Sequence, residues 1–335
     1  MGDEPNDAPA EPRLNTDVAI VGGGMAGLAI ARELQGRGRQ VLLLDKGWHP
    51  GGRFASRRLA GGAAFVDHGV QRFILPSAHR WWSGTSLRRV RGVEDGAEAM
   101  LATPARTFVS ALADGLTIRQ RHRVDGLRAL PDGQWLLRSE DGMPSCQAQT
   151  VVLACPGPQA ADLLASAGLE QPDAAVLRYR PRWVITGSVP RSARIRIGDL
   201  MPAMDGIDRG PEIPGHGRQC LRLQASEAWS QQRVDWPEAQ VVEAVEQALI
   251  EAGAEDLQEL HAKRWRYAQA ASHGESVELR RAPGLYIAGD WTQPGDADRG
   301  VDRALTAAAQ VISQLIEGAA SDDCLGLQTA VAVSS

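Results

Sequence analysis

Two hydrophobic rhythms alternate along the chain, and each change of rhythm marks an element. Residues 17–21 (DVAIV) form a short unbroken apolar run rich in β-branched residues, the pattern of a parallel strand covered on both faces. After Gly22 the period changes. Met25, Leu28, Ala29, Ala31 and Leu34 recur at helical spacing, and Gly36 and Gly38 end the predicted helix. A second apolar run, 41–44, ends at Asp45 and is followed by Lys46. Strand, glycine turn, helix and strand in this order predict the opening βαβ unit of a doubly wound sheet.

The pattern continues with a short helix at 103–113. Residues 116–154 read as a β-meander, with strands at 116–118, 123–130, 134–138 and 148–154. Its turns are Pro131-Asp132-Gly133 and Asp141-Gly142. The last of these strands is apolar, stops at Pro156-Gly157, and reads as a return to the parallel sheet. A helix is predicted at 159–168, and strands around 183–188, at 221–226 and at 257–270. An amphipathic helix is predicted over 237–253, with Val241, Val242, Val245, Leu249 and Ile250 on one side. Glycine and proline leave 192–218 unassigned, and 81–102 is unassigned around Trp81, Trp82, Arg88, Arg89 and Arg91. An apolar strand at 284–288 and a helix at 301–316 bring the chain back to its first domain.

The predicted architecture is α/β: a Rossmann-type nucleotide domain with a parallel sheet and a β-meander, interleaved with a smaller α+β substrate domain. Segments 14–80, 103–158 and 282–318 compose the discontinuous first domain, and 159–281 the second, with 81–102 unplaced. The acidic, proline-rich lead 1–13 and the small, polar tail 319–335 are expected to be disordered.

Composition narrows the partners. Of 335 residues 43% are apolar, enough for a large core, and the net charge of −5 with no basic block argues against nucleic acid. Cys146, Cys155, Cys220 and Cys324 are far apart, which suggests reduced thiols in a cytoplasmic setting and neither a disulfide frame nor a metal site. No run reaches membrane-spanning length, and the lead lacks the features of a signal peptide.

Gly22, Gly24 and Gly27 stand at the G-x-G-x-x-G spacing. That motif serves a tight turn, close approach to a pyrophosphate, and close helix–strand packing, with the helix N-terminus facing the anion. Asp45, about 20 residues further on, is placed to accept from a ribose hydroxyl. Pro50, Gly51 and Gly52 exclude regular structure, while Arg53, Arg57 and Arg58 offer guanidinium donors suited to phosphate. In the next stretch Gly69 permits close backbone approach and Gln71 offers donor and acceptor. His68 is open to three readings: a ligand, a flavin attachment point, or a satisfied polar residue, the last weighing most. Lys263, Arg264, Trp265, Arg266 and Tyr267 mix aromatic and basic residues on one strand, either a pocket wall or an ordinary two-faced strand. Gly289-Asp290-Trp291 sets a carboxylate at a strand end ahead of a helix N-terminus, a cofactor site by geometry.

These segments carry a resemblance. GGGMAGLAIARELQGRGRQVLLLDK, GGRFASRR and GLYIAGDW resemble the group that holds the flavin amine oxidases and protoporphyrinogen oxidase. GGRFASRR running into FVDHGVQRF, then ACPGPQAADLL, then KRWRYA ahead of GDW, resembles more narrowly the renalase family of flavoprotein oxidases, over roughly 17–315. The resemblance implies non-covalent FAD. Gly22, Gly24, Met25, Ala26 and Gly27 would wrap its pyrophosphate, and Asp45, with Lys46 beside it, would hold the adenosine ribose. Gly52 and Arg53 would approach the pyrophosphate and flavin, Gly69 and Gln71 the isoalloxazine, and Val124 the adenine. Gly289 and Asp290 would meet the ribityl–phosphate end, and Val301 the pyrimidine edge.

Gln71, Trp265 and Tyr267 are the candidate pocket wall, with Arg72 a candidate anion contact. Departures from the family pattern include Arg72 for a tyrosine and Arg303 for a glycine, and the stretch between Phe73 and Thr103 is shorter than in relatives. The implied reaction is hydride transfer from a dihydronicotinamide to flavin N5, with molecular oxygen as acceptor and hydrogen peroxide as product. Oxidation of an amine or another small metabolite is the alternative, and a low-turnover flavin-binding partner protein is a third. The sequence contains no clear acid–base pair or nucleophile constellation, which suits a dihydropyridine.

Overall fold

The parallel sheet expected from the opening βαβ unit lies at the centre of the molecule. The computed structural model describes residues 13–74, 87–89, 98–101, 103–140, 143–201 and 203–332. Strand β1 (Leu14–Val21), whose last four residues are buried, leads into α1 (Met25–Gly36) and the wholly buried β2 (Val41–Leu44). A hairpin of β3 (Ser56–Leu59) and β4 (Ala64–Asp67) follows, in a stretch for which no element was predicted. Strands β5 (Arg72–Ile74), β6 (Leu87–Arg89) and β7 (Glu98–Leu101) form a small antiparallel sheet in the order β5-β7-β6.

Next come α2 (Ala105–Ala113), β8 (Ile118–Arg119), β9 (Val124–Ala129), β10 (Trp135–Ser139), β11 (Cys146–Leu153) and α3 (Gly157–Ser166). The second half contains β12 (Tyr179–Pro190), α4 (Ile197–Leu200), β13 (Met204–Ile213), β14 (Arg218–Ala225), α5 (Glu227–Gln232), α6 (Glu238–Glu251) and β15 (Gln258–Ala270). The chain closes with β16 (Arg280–Ala282), β17 (Leu285–Ile287) and α7 (Gly300–Ala332).

The main sheet runs β16-β17-β11-β1-β2-β8, and its centre is parallel: β1 pairs with β2 and β11, and β11 with β17. The predicted meander splits in two. β9, β10 and β11 pair antiparallel, but Ile118 lies opposite Leu43 in a parallel edge pair, so that segment belongs to the Rossmann order. The last strand, β17, sits beside β11 although the two are separated by the whole second sheet in sequence.

The second sheet is antiparallel, β13-β14-β12-β15. One face carries Trp183, Ile185, Leu221, Leu223 and Ala262, packed with Val241, Val245 and Leu249 of α6. The predicted stripe on α6 narrows accordingly. Ile250 is 53% exposed, because it is turned about 100° from Leu249 around the helix. The unassigned 192–218 stretch holds α4 and β13. β13 is an edge strand whose register shifts between Arg209 and Glu212, the interval that contains Pro211; an edge tolerates a residue without an N–H.

Two further expectations change. The closing helix does not stop near residue 316: its backbone stays helical to Ala332, through much of the expected disordered tail, in a stretch that contains four alanines and no proline. The expected lead 1–13 lies outside the described residues except for Arg13, and of 81–102 only β6 and β7 fall within them. Among the described residues no helix is long and apolar enough to cross a membrane, and no group of His, Cys, Asp or Glu is arranged to hold a metal.

The split of α6 gives a direct check. Leu249→Ala empties a fully buried site and is expected to cost about 2–5 kcal/mol. Ile250→Ala is expected to stay within about 0.5 kcal/mol of the parent. Urea unfolding of both variants measures the difference.

Candidate active site

Three glycines of the first turn answer to three different constraints. Gly22 has φ +111°, and a Cβ there would stand 2.8 Å from the Ala154 carbonyl oxygen. A Cβ on Gly27 would stand 2.0 Å from the Gly22 oxygen, so helix α1 rests on β1 only because Gly27 is bare. The protein itself demands both. It does not demand Gly24, where a Cβ would meet nothing within 4 Å. Gly24 is the N-cap of α1, and no side chain caps that helix, so its first N–H groups are free donors.

Facing this space is the second glycine pair. Gly51 N–H donates to the Gly23 carbonyl at 2.6 Å, and a Cβ on Gly52 would lie 3.1 Å from Gly24 Cα. The two loops thus form one bare-backbone cradle, which fits a pyrophosphate. Met25 and Ala26 are buried behind it. At the end of β2, Asp45 Oδ2 accepts from Gly23 N–H at 2.5 Å and Oδ1 from Gly47 N–H at 2.6 Å. Its main chain takes the link into β9: His122 N–H donates to the Asp45 carbonyl at 2.9 Å, which draws the buried Val124 to the same corner. Lys46 is exposed there.

Arg53 and Asp290, expected separately as ligand contacts, are paired with each other. Arg53 Nη1 donates to Asp290 Oδ2 at 2.7 Å and to the Ala268 carbonyl at 2.9 Å. The Asp290 side chain is 2% exposed. Burial pushes its pKa up, but the Arg53 guanidinium, by charge and by hydrogen bond, together with Arg303, holds it below its ordinary value. Gly69 completes this corner, since a Cβ there would stand 1.9 Å from the Arg53 carbonyl oxygen. A Cβ on Gly289 would likewise stand 2.7 Å from the Trp291 Nε1.

Arg303 is buried on the first turn of α7, about 200° around the helix from the half-buried Val301. Its Nε donates to the Gln293 carbonyl at 2.8 Å, and its Nη atoms reach the carbonyls of Ala270 and Ala271 at 3.4 Å. The arginine that departs from the family pattern therefore ties the helix start to the end of β15.

Strand β15 is two-faced. Arg264 turns to the α5–α6 side, donating to the Val234 carbonyl at 2.8 Å, and Arg266 pairs outside with Asp235 at 2.7 Å. Lys263, Trp265 and Tyr267 share the opposite face. Trp265 Nε1 donates to the His68 carbonyl at 2.6 Å, which holds the indole stacked on the His68 ring at 5.6 Å and 26°. Tyr267 meets Tyr179 edge-on at 5.3 Å, and the Tyr179 hydroxyl accepts from Gly157 N–H at 3.2 Å. Burial, then the charges of Lys263, Arg57 and Arg222, lowers the His68 pKa to about 4, so the ring is neutral at pH 7. Its Nδ1 is buried without a hydrogen-bond partner.

Of the remaining candidates, Gln71 follows directly, its carbonyl accepting from Leu101 N–H at 3.2 Å. Arg72 pairs through its backbone with Met100, and its side chain lies outside the described residues. Arg57 lies half-buried on β3, and Arg58 is exposed, 5.6 Å over the Phe65 ring. Tyr179 was not found from the sequence; a lone tyrosine ahead of Pro181 carries no spacing signal.

A bare-glycine cradle at the first βα turn, an acid at the end of the second strand and a buried acid at the end of the last strand define a Rossmann-type dinucleotide-binding oxidoreductase. Residues 20–85 match the NAD(P)-binding Rossmann-like domain, and residues 77–312 match the flavin containing amine oxidoreductase family. The chain belongs to that family and is an FAD-dependent oxidoreductase.

Among curated proteins, a lysine-specific histone demethylase 1 homolog 2 of Oryza sativa subsp. japonica is 46% identical over 65 residues, which is 19% of this chain and 8% of that protein. The chain thus spans a small part of that relative's length. Among solved structures, putrescine oxidase bound to putrescine superposes with a TM-score of 0.61 at 11% identity, covering 91% of this chain and all of the other. Cyclohexylamine oxidase from Brevibacterium oxydans IH-35A gives 0.59 at 15% identity, covering 90% and 99%. At these identities the likeness is one of fold.

Two predictions follow from the cradle and the ion pair. Gly24→Val is expected to fold with near-parental stability and purify without flavin, whereas Gly27→Ala forces a Cβ onto the Gly22 carbonyl and lowers the melting temperature. Absorbance at 450 nm per chain and thermal melts separate the two effects. Asp290→Asn leaves a guanidinium without its carboxylate and is expected to cost about 3 kcal/mol at pH 7. Because Asp290 titrates lower folded than unfolded, its contribution is present above about pH 4 and fades as pH falls through the folded value. The stability gap between parent and Asp290→Asn should therefore close in acid, as followed by urea titrations from pH 7 to 3.

Proposed function

We propose that the protein oxidises a small dihydronicotinamide-type molecule and passes the electrons to oxygen, giving hydrogen peroxide, as the renalase family it resembles does. The observation that carries this reading is the ring wall. Trp265 stacked on a neutral His68, with Tyr267 meeting Tyr179 edge-on on the same strand face, sets aromatic rings beside the Gly69–Gln71 turn. Bound FAD would supply the hydride acceptor. The chain's part would be to hold the two rings in register and to exclude water.

The cradle of Gly22, Gly24, Gly27 and Gly52 would hold the pyrophosphate, Asp45 the ribose, and the Arg53–Asp290 corner with the start of α7 the flavin end. A dihydropyridine becomes aromatic when hydride leaves and has no proton to give up first. An ammonium substrate must be deprotonated, and His68, with a pKa of about 4, is a poor acceptor for that proton. Oxidation of an amine remains the second reading, favoured by family membership and by the putrescine and cyclohexylamine oxidases that share the fold.

The test is anaerobic stopped-flow mixing of the FAD-loaded protein with normal and isomeric dihydronicotinamides, putrescine and cyclohexylamine. Bleaching at 450 nm by a dihydronicotinamide, faster than free FAD is reduced, is the expected result. Bleaching by an amine alone would replace the first reading with the second.

A further inference from the structure

Rings make up part of what faces the 68–71 turn; the rest is cationic. Arg222 lies on β14 opposite Thr186, on the sheet face that also carries Lys263 and Trp265. That face meets the β3–β4 hairpin, since Cys220, two residues earlier, packs with Leu59 and Val66. Arg222 is 7% exposed. Its Nη1 donates to Asp208 at 3.1 Å, and its Nη2 donates to Gln224 Oε1 at 3.0 Å and reaches the Gly69 carbonyl at 3.5 Å. Its Nε is buried and has no acceptor.

The Asp208 side chain is 49% exposed, so the carboxylate paired with this cation stands half in water and offsets its burial only in part. Burial indeed draws the Arg222 pKa below its ordinary value, against the pull of Asp208 and Asp67. Lys263 Nζ lies 5.6 Å from the centre of the Trp265 ring, and among the described residues it has no carboxylate within ion-pair distance. Arg57 adds a third positive charge felt at His68. A buried arginine with an unused donor, on the same sheet face as a lysine without an acid two strands away and with both charges felt at His68, leaves this face short of negative charge. An oxyanion would satisfy both.

We propose that Arg222 and Lys263 form an oxyanion subsite that holds a phosphate or carboxylate of the substrate while its ring lies against Trp265 and His68. The proposal rests on the reading of this face as the substrate pocket. It assigns the substrate to a class, a flat ring bearing an anionic group, and it disfavours cationic diamines by like charge. Both residues bind; neither touches the bond that changes.

The test uses the oxidised, FAD-loaded protein and two ring probes of one shape, pyridine-3-carboxylate and pyridine-3-carboxamide. Binding is read from the shift of the flavin absorbance band and from tryptophan quenching. The carboxylate is expected to bind about 10-fold more tightly than the carboxamide, as a charge-assisted bond implies, with the ratio falling as salt rises. Arg222→Gln and Lys263→Met should each bring the ratio toward one with carboxamide binding kept, and Arg222→Lys should restore part of it. Should Arg222→Gln fail to fold, Lys263→Met decides.

Inorganic phosphate as competitor, and reduced nicotinamide mononucleotide against its uncharged riboside, separate a phosphate source from a carboxylate one. Equal binding of the two ring probes, or a ratio unmoved in both variants, overturns the proposal. An expected ratio without any bleaching by dihydronicotinamides would leave the subsite standing and remove the hydride-donor reading. Bleaching with a ratio of one would do the reverse.

Discussion

The contact on which the site's geometry depends is the ion pair between Arg53 and Asp290. It joins residues 237 apart in sequence and draws three segments to one point: the loop after β2, the end of β17 and, through the Ala268 carbonyl and the Ala270 N–H, the last residues of β15. A buried pair of this kind is weak evidence for net stability, because desolvation consumes most of the attraction. Its value is positional. With Asp290 held by Arg53 on one side and Arg303 holding Ala270 and Ala271 on the other, the end of the second sheet has little freedom to shift over the first domain.

The division of labour in that second sheet follows from the period-two geometry of strands. Alternate residues of β12, β14 and β15 go to the α6 side and make an apolar core, and the intervening ones go to the first domain. A strand such as β15 can thus place Ala262 in the core while Lys263 and Trp265 face the first domain, where the proposed substrate site lies. The same alternation explains why a chain of net charge −5 can present a locally positive wall.

The legible parts of the sequence were those whose physics is local. The β1–α1–β2 unit and its glycines could be read because strand, turn and helix constraints each act within a few residues. The Gly289–Asp290 corner could be read because it repeats the strand-end logic. What sheet pairing decides was not legible. Residues 116–118 looked like meander, yet Ile118 pairs parallel with β2. The β3–β4 hairpin was hidden because Ser56, Arg57 and Arg58 have no strand-like hydrophobicity and are held by pairing with Asp67, Val66 and Phe65. Arg222 sits in an alternating stretch that resembles any half-exposed strand, and only the packing of Cys220 on the hairpin reveals which way that face points. Arg303 was visible as an oddity, but its carbonyl partners lie on segments that only the fold assembles.

The cradle's parts are spread over most of the chain. Gly24 needs Gly52 beside it, Arg53 needs Asp290, and Asp290 stands at the end of a strand that enters the sheet only after the whole second sheet has been made. During synthesis, when the N-terminal part of a chain folds first, the early βαβ unit and β11 would exist for some time with the parallel neighbour of β11, β17, still missing. The corner proposed for the flavin would therefore close last. On that placement, cofactor loading would come at the end of biogenesis, after residues near 300 have left the ribosome, and a chain truncated before them would retain the dinucleotide motif without the Arg53–Asp290 corner.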